Sequence, residues 1–581
     1  MYDVVIRNGT VVDGTGSPST TADIAVLDGV IAEVGVVAGS ARTEIDATGL
    51  MVTPGFVDVH THYDGQVSWD SLLAPSSLHG VTTVVMGNCG VGFAPVAPDR
   101  HDWLIGLMEG VEDIPGSVLS EGMTWGWESV AEYLDVIDTP HAIDFAVQIP
   151  HDAVRTYVMG ERGADHESVA TADELAEMRR IIVDGVRAGA IGWSTGRTPA
   201  HKTATGLPTP SMTAPPEELI SLSAGLADVQ AGVIDVMSDF LSEATEMELI
   251  RQISLTSRRP MSITMLQRDA EPDAWRTWLT QFAEISRESG SPIVGQVSVR
   301  AIGLMLGWDL TFHPFVGHPT YRALADLPLP ERVAELRRPE IRSRILAEQT
   351  ESDDAYLHRL IASMDRIYRL GDPPDYEPVA DQSLAAIGQR AGVDPLAVAY
   401  DHMMEMDGQA LLYFPTLNYF YGDLEDVREM LEHENTVPAL GDGGAHCGAV
   451  VDASFPTTLL THWGRDRVRG ERLPVEWLIK RQTMDTARTV GLLDRGRIAP
   501  GYRADLNVID FENLNAKHPY VAYDLPAGGR RVMQEATGYV ATIVAGEVTF
   551  ENGRHTGALP GRLVRGAQPA PAPELKSSEN R

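Results

Sequence analysis

Eight short apolar runs, bounded by turn residues and separated by longer stretches, constrain this chain more than any other feature. They fall at 55–60, 81–86, 142–148, 190–194, 232–237, 261–266, 292–297 and 437–441. Between them lie amphipathic segments such as 173–186 and 216–229, whose apolar residues recur at helical spacing. Strands buried on both faces and alternating with helices predict a closed parallel sheet, an α/β fold of the (β/α)8 TIM-barrel kind spanning 55–495. One interval is far longer than the rest. Residues 298–436 carry helical patterns of their own at 331–350, 354–370 and 383–391, which predicts an insertion or lid over the C-terminal face of the barrel.

The two ends of the chain resemble each other. Residues 1–54 read as short strands with turns at Asn8-Gly9 and Asp28-Gly29, and 496–565 repeat the pattern, with strands at 504–510 and 539–544 and a turn at Asn552-Gly553. Together they predict one small β-sandwich built from both ends, with the barrel inserted between. The tail 566–581, rich in Pro, Ala and polar residues, is expected to be disordered.

Composition narrows the function. No apolar run is long enough to cross a bilayer, and residues 1–9 show no secretory leader. The only cysteines, Cys89 and Cys447, rule out a disulfide framework and point to a reducing cytoplasm. A net charge of −36 disfavours nucleic acid and anionic membranes as partners. A small-molecule substrate is expected, and self-association is left open.

His60-Thr61-His62 follows the first apolar run. Residues two apart on a strand point the same way, so both imidazoles can face one cation at the open end of a barrel. Neutral imidazole suits zinc best among common metals. The run from Gly55 to Asp64, GFVDVHTHYD, resembles the first-strand motif of the amidohydrolase superfamily, and Gly80 to Gly90, GVTTVVMGNCG, is similar to the second-strand motif of its N-acyl-D-amino-acid deacylase branch. Further matches run through HDAVRTYVMG from His151, GAIGWSTG from Gly189, and the closing segment 494–505.

The resemblance implies a metal-dependent hydrolase that cleaves a non-peptide C–N amide bond, in an N-acyl-D-amino acid or related compound, with metal-activated water. It implies Cys89 as a metal ligand, and Asp442, in LGDGGAH, as a ligand and general base. Many other amidohydrolases use a carboxylated lysine instead. Here the barrel span holds only Lys202 and Lys480, neither of them on a strand, in keeping with Cys89. The chain departs from the branch in two ways. Alignment puts Met237 and Met265 where ligand histidines of strands five and six would stand, and no arginine follows Asp442 until Arg465.

The expected centre is therefore one Zn2+ held by His60, His62, Cys89 and Asp442, with a second ion possible. Substrate contacts are expected from among His151, His201, Arg155, Arg197 and Arg300, with His446 beside the site and Gln267 or Gln296 orienting an amide or carbonyl. The competing readings are a hydrolase of cyclic amides or lactones, and a barrel that has lost catalysis and serves as a scaffold.

Overall fold

The computed structural model describes residues 1–352 and 354–572. Its centre is an eight-stranded parallel sheet whose strands follow one another in chain order: β1 (Phe56–Asp58), β2 (Val81–Met86), β3 (Asp144–Pro150), β4 (Gly192–Arg197), β5 (Val233–Ser238), β6 (Met261–Met265), β7 (Ile293–Val297) and β8 (Thr436–Pro438). Each overlaps one of the eight apolar runs. Every residue of β2 and β3 is buried, which is why the runs read as continuous rather than alternating.

Helices cover the outside. Between β2 and β3 lies α1 (His101–Glu112), then come α2 (Ala172–Ala188) and α3 (Pro216–Val229). Thr171 and Glu174 form a reciprocal capping box at the start of α2, and proline stands in the first turn of α3, where its missing N–H costs nothing.

The barrel closes just beyond the ends of its first and last strands. The Asp442 N–H donates to the His60 carbonyl at 3.1 Å, and the His62 N–H donates to the Gly443 carbonyl at 2.7 Å. The two segments run parallel, with Thr61 opposite Gly443. A side chain does not fit in this seam. A Cβ on Gly441 would lie 2.4 Å from Asp58 Oδ2.

The chain ends share one nine-stranded sheet. Residues Met51–Pro54 pair in parallel with Tyr2–Val11 and antiparallel with Leu506–Ile509, so they join the N-terminal and C-terminal strands. Alternate residues on one face, among them Val4, Ile6, Ile24, Val26, Val52, Leu506, Val508 and Ile543, make a single apolar core for this β-sandwich.

The insertion is more than helical. It holds a three-stranded sheet of Ile302–Leu306, Leu412–Leu417 and Tyr368–Arg369, and a separate core that includes Trp308, Phe315, Tyr321, Leu336, Tyr400 and Phe414. It is tied to the C-terminal side of the barrel. The Met305 N–H donates to Ala449 at 2.8 Å, the Thr311 N–H to Gly448 at 3.0 Å, and the Asn418 N–H to Gln267 at 3.1 Å.

The tail corrects the expectation of disorder from 566 onward. The Gly566 N–H donates to Gly189, and Gln568 exchanges backbone hydrogen bonds with Gly491 and Leu493, so the chain remains strapped to the body there. Residues 573–581 lie outside the described residues. No helix among the described residues is long and apolar enough to cross a membrane.

Asp144, buried at the start of β3, ties the parts together. Its carboxylate accepts from Arg495 at 2.8 Å, Arg503 at 3.0 Å and the Arg562 N–H at 3.1 Å. Removing one partner of such a cluster strands the others' charge in a buried place. Asp144→Ala is expected to destabilise the protein by about 3–5 kcal/mol, read from the midpoint of chemical denaturation. A loss below about 1 kcal/mol would show that the clamp carries little, since that is what an exposed pair contributes.

Candidate metal centre

The segment after β1 is pinned so that His60 and His62 both face inward. Thr61 between them turns the other way, donating its N–H and hydroxyl to the Val85 carbonyl of β2 at 3.0 and 2.8 Å. Cys89 approaches from the end of β2. Its φ of 57° is a left-handed conformation uncommon for a residue with a side chain, and its surroundings hold it there. Asn88 donates to the Thr61 and Val85 carbonyls, the Cys89 N–H donates to Asp235 at 3.2 Å, and the Gly90 N–H donates to Ser194 at 3.0 Å.

These constraints converge the donors. One ligand atom each from His60, His62 and Cys89 lies within 4.8 Å of the others, and all three residues are buried. Cys89 Sγ is 3.3 Å from His60 Nε2, and Asp442 Oδ1 is 3.6 Å from the same nitrogen. His60 Nδ1 lies 2.6 Å from Gln296 Oε1. Gln296 is itself oriented, because its amide nitrogen donates to Asp235 and Ser262 at 2.8 Å each. The amide oxygen can only accept, so Nδ1 carries the proton and Nε2 keeps its lone pair toward Cys89 and Asp442.

Electrostatics fit a cation. Burial pushes the Cys89 thiol well up, and the nearby carboxylates of Glu112, Asp235 and Asp442 push it further. Burial also raises the Asp442 carboxyl and lowers His60 and His62. A thiol and a carboxyl that resist ionisation, facing imidazoles that resist protonation, are stabilised together by one positive ion. Imidazole, thiolate and carboxylate are a donor set that zinc accepts. The residues present therefore fit a metal of this type.

Glu112 and Asp235 also reach the centre, and sequence reading missed both. Glu112 ends α1 only 1% exposed, with Oε1 3.3 Å from His62 Nδ1 and Oε2 3.7 Å from His446 Nε2. Its signal was a carboxylate on the stripe of Leu104, Met108 and Val111 that faces the core. Asp235 breaks the apolar run of β5, and burial lifts its carboxyl to about 7.

The other expected residues divide. His201, half-buried, stands by the centre, where burial and the neighbouring His446 and His60 pull it down to about 3. His151 does not face the metal cluster with a free nitrogen. Its ring is held by Thr195 and Glu218 at 2.9 Å each. The three arginines expected among the substrate contacts each have a carboxylate partner within the fold. Arg155 pairs with Glu218 and donates to the Gly163 and Ser168 carbonyls. Arg197 pairs with Glu246 at 2.9 Å. Arg300 is fully buried on Asp452 and Thr458, with its guanidinium 3.7 Å from the centre of the Tyr376 ring. Arg465 is bound to the Phe511, Glu512 and Leu514 carbonyls. The Gln267 side-chain amide donates to Asp426 and accepts from the Phe420 N–H at 3.0 Å.

Strand geometry separates the two methionines. Met237 lies beside Thr264, whose hydroxyl is 2.9 Å from its sulfur. Met265 points instead to the helical layer, meeting the position above Gly295 that Leu279 also covers. Strand alternation turns its neighbour Thr264 to the inner face shared by Ser262 and Gln296. The inward-facing residues at this level of β5 and β6 are thus Met237 and Thr264.

Comparison with known proteins agrees with this architecture. A model of the amidohydrolase family matches residues 43–550. The D-aminoacylase of Alcaligenes xylosoxydans xylosoxydans is 27% identical over 581 residues, covering 97% of each chain. The crystal structure of D-aminoacylase matches with a TM-score of 0.64 at 24% identity, over 98% of this chain and 100% of that one. That of N-acyl-D-glutamate deacylase from Bordetella bronchiseptica, complexed with zinc and a phosphonate inhibitor, matches with a TM-score of 0.62 at 23% identity, over 97% and 99%. The chain belongs to the amidohydrolase family. It is a metal-dependent hydrolase of carbon–nitrogen bonds other than peptide bonds.

The Gln296 contact gives a direct test of how the centre is held. Gln296→Leu is expected to weaken metal binding by about 10–100-fold, measured by competition with a chromogenic chelator. Unchanged affinity would show that His60 is oriented by something else.

Proposed function

We propose that this chain hydrolyses the acyl–nitrogen bond of small N-acyl compounds, N-acyl-D-amino acids first among them, using zinc held by His60, His62, Cys89 and Asp442. The observation that carries the reading is the placement of Asp442. It alone of the four is partly open, with its side chain 15% exposed, while its Oδ1 is 3.6 Å from His60 Nε2. It thus touches both the ligand cluster and the space a substrate would enter.

A bound divalent ion would polarise the scissile carbonyl and make water acidic enough to attack it near neutral pH. Asp442 accepts the proton released as the water oxygen bonds to the carbonyl carbon. The same carboxyl returns that proton to the nitrogen as the C–N bond breaks, so the products are a carboxylic acid and a free amine. Burial raises the Asp442 carboxyl above the ordinary carboxylate range, which eases the return of the proton it has taken. Gln296 keeps His60 in one tautomer throughout. The unpaired thiols of Cys89 and Cys447 suit a reducing cytoplasm.

The arginines expected to hold a substrate carboxylate are all paired internally, and this observation favours a second reading, a cyclic amide or lactone without a free carboxylate. A panel of N-acyl-D-amino acids, their L-enantiomers, cyclic imides and lactones separates the two. Turnover of the D-compounds, lost with chelator and restored by zinc, is the expected result, and activity on lactones alone would remove the deacylase reading. Asp442→Asn should lower kcat by about 10²–10⁴ with the fold intact by circular dichroism. Retention of kcat within about tenfold would exclude Asp442 as the proton carrier.

A further inference from the structure

We propose that Asp452 is a positioning residue for the hydrolysis: one ordered water, seated in a small cavity that Asp442 and Asp452 both line, joins the two carboxylates and keeps Asp442 aimed at His60. The inference rests on the role given to Asp442 above but concerns residues outside the ligand set.

Asp442 needs such a support. The seam bonds fix its backbone, at a φ of 46°, but not its side chain. Oδ1 faces His60 Nε2 at 3.6 Å, too long for a hydrogen bond. Among the described residues the carboxylate has this contact and no hydrogen bond. Rotation of a carboxylate about its own bond is broad, so its direction has to be set by a donor. A group that serves both a ligand cluster and a substrate works only when held close to one orientation.

The donor has a place to sit. A cavity of about 20 Å³ is bordered by Asp442, Asp452, Gln66 and Arg531, with Val451 and Val532 among its apolar walls. About 10–15 Å³ of such space admits a water, and a stable buried water has two to four polar partners. The cavity therefore suits one water and is too small for a substrate.

Asp452 gives the cavity its purpose. It is 2% exposed, and its Oδ2 is buried without a hydrogen-bond partner. Its Oδ1 accepts from Arg300 at 3.2 Å, and Arg300 is itself held by Thr458 at 2.9 Å and by the Tyr376 ring. The nearby protein donors are used elsewhere. Gln66 donates its amide nitrogen to Asp70 and the Ala74 carbonyl, and Arg531 donates to Asp524 and the same carbonyl. Two carboxylates cannot satisfy each other, since both accept. A water has two O–H donors, one for each, and such a bridge holds nearly as well as a direct bond. Beyond its place in the scaffold, the Arg300–Asp452 pair is thus a fixed post from which Asp442 is oriented.

The test uses the full-length protein. A high-resolution crystal structure should show one water at hydrogen-bond distance, about 2.5–3.0 Å, from both carboxylates. Arg300→Met combined with Asp452→Leu removes the pair together and leaves no stranded charge, so the fold should persist. In that variant the water should be lost and Asp442 should spread over more than one side-chain orientation. Its kcat should fall about 10–100-fold with KM nearly unchanged, and Asp452→Asn, which keeps an oxygen for the water, should lose less. A pair with a structural role alone would leave kcat and the Asp442 orientation as they are. The water is read in the wild type, so a double variant that does not fold leaves the test in place. No water touching both carboxylates, or a folded double variant with wild-type kcat and one Asp442 orientation, would overturn the proposal. The bridging water together with no turnover of any compound in the panel would instead overturn the proposed reaction, and the Asp442 orientation in the double variant would still decide this one.

Discussion

The structure depends on two backbone hydrogen bonds at the barrel seam, Asp442 N–H to His60 and His62 N–H to Gly443. They join the first strand to the last, more than 370 residues later by the numbers of the residues they connect. Without them a parallel sheet would present two open edges. With them His60 and His62, the proposed ligands, and Asp442, the proposed proton carrier, are neighbours by construction. Closure of the fold and assembly of the site are the same event. The glycines at 441, 443 and 444 follow from it, because each would drive a side chain into Asp58, Tyr63 or the His62 backbone.

Charge is distributed by a similar logic. Buried Arg155, Arg300, Arg467 and Arg495 each meet a buried carboxylate, so these pairs are internally neutral and serve the scaffold. Among the described residues, Asp442 and Glu112 form ion-pair contacts only with imidazoles, and the Cys89 thiol contacts an imidazole nitrogen. Excess negative potential is left at the C-terminal mouth of the barrel, the end where enzymes of this fold hold their chemistry. The opposite end, with Asp144 under Arg495 and Arg503, is compensated.

Much of this was legible in the residues. The eight strands showed as continuous apolar runs because both their faces are buried, and the β-sandwich showed through its turns. His60, His62, Cys89 and Asp442 showed through local motifs. What local pattern does not carry is whatever depends on long-range placement. Arg155, Arg197 and Arg300 lie near strand ends as substrate-binding arginines would, but their partners Glu218, Glu246 and Asp452 are brought to them only by folding. Met265 stands one residue along from the inward-facing Thr264, and with a period of two one residue reverses the face. Glu112 carries no spacing relation to the histidines, since it reaches them from a helix rather than a strand. The strands within the insertion were missed because Gly303 and Pro415 interrupt their pattern.

The Asp144 clamp and the shared terminal sheet carry a consequence for synthesis. The N-terminal strands leave the ribosome first, yet Met51–Pro54 gains its neighbour Leu506–Ile509 only after almost the whole barrel has emerged. Asp144 waits longer still, until Arg562 is available. Through most of translation one edge of the early sheet stands unpaired and a buried acid lacks its countercharges. The nascent chain must therefore be kept from associating through that edge, and its last segment acts as the latch that ends the exposure.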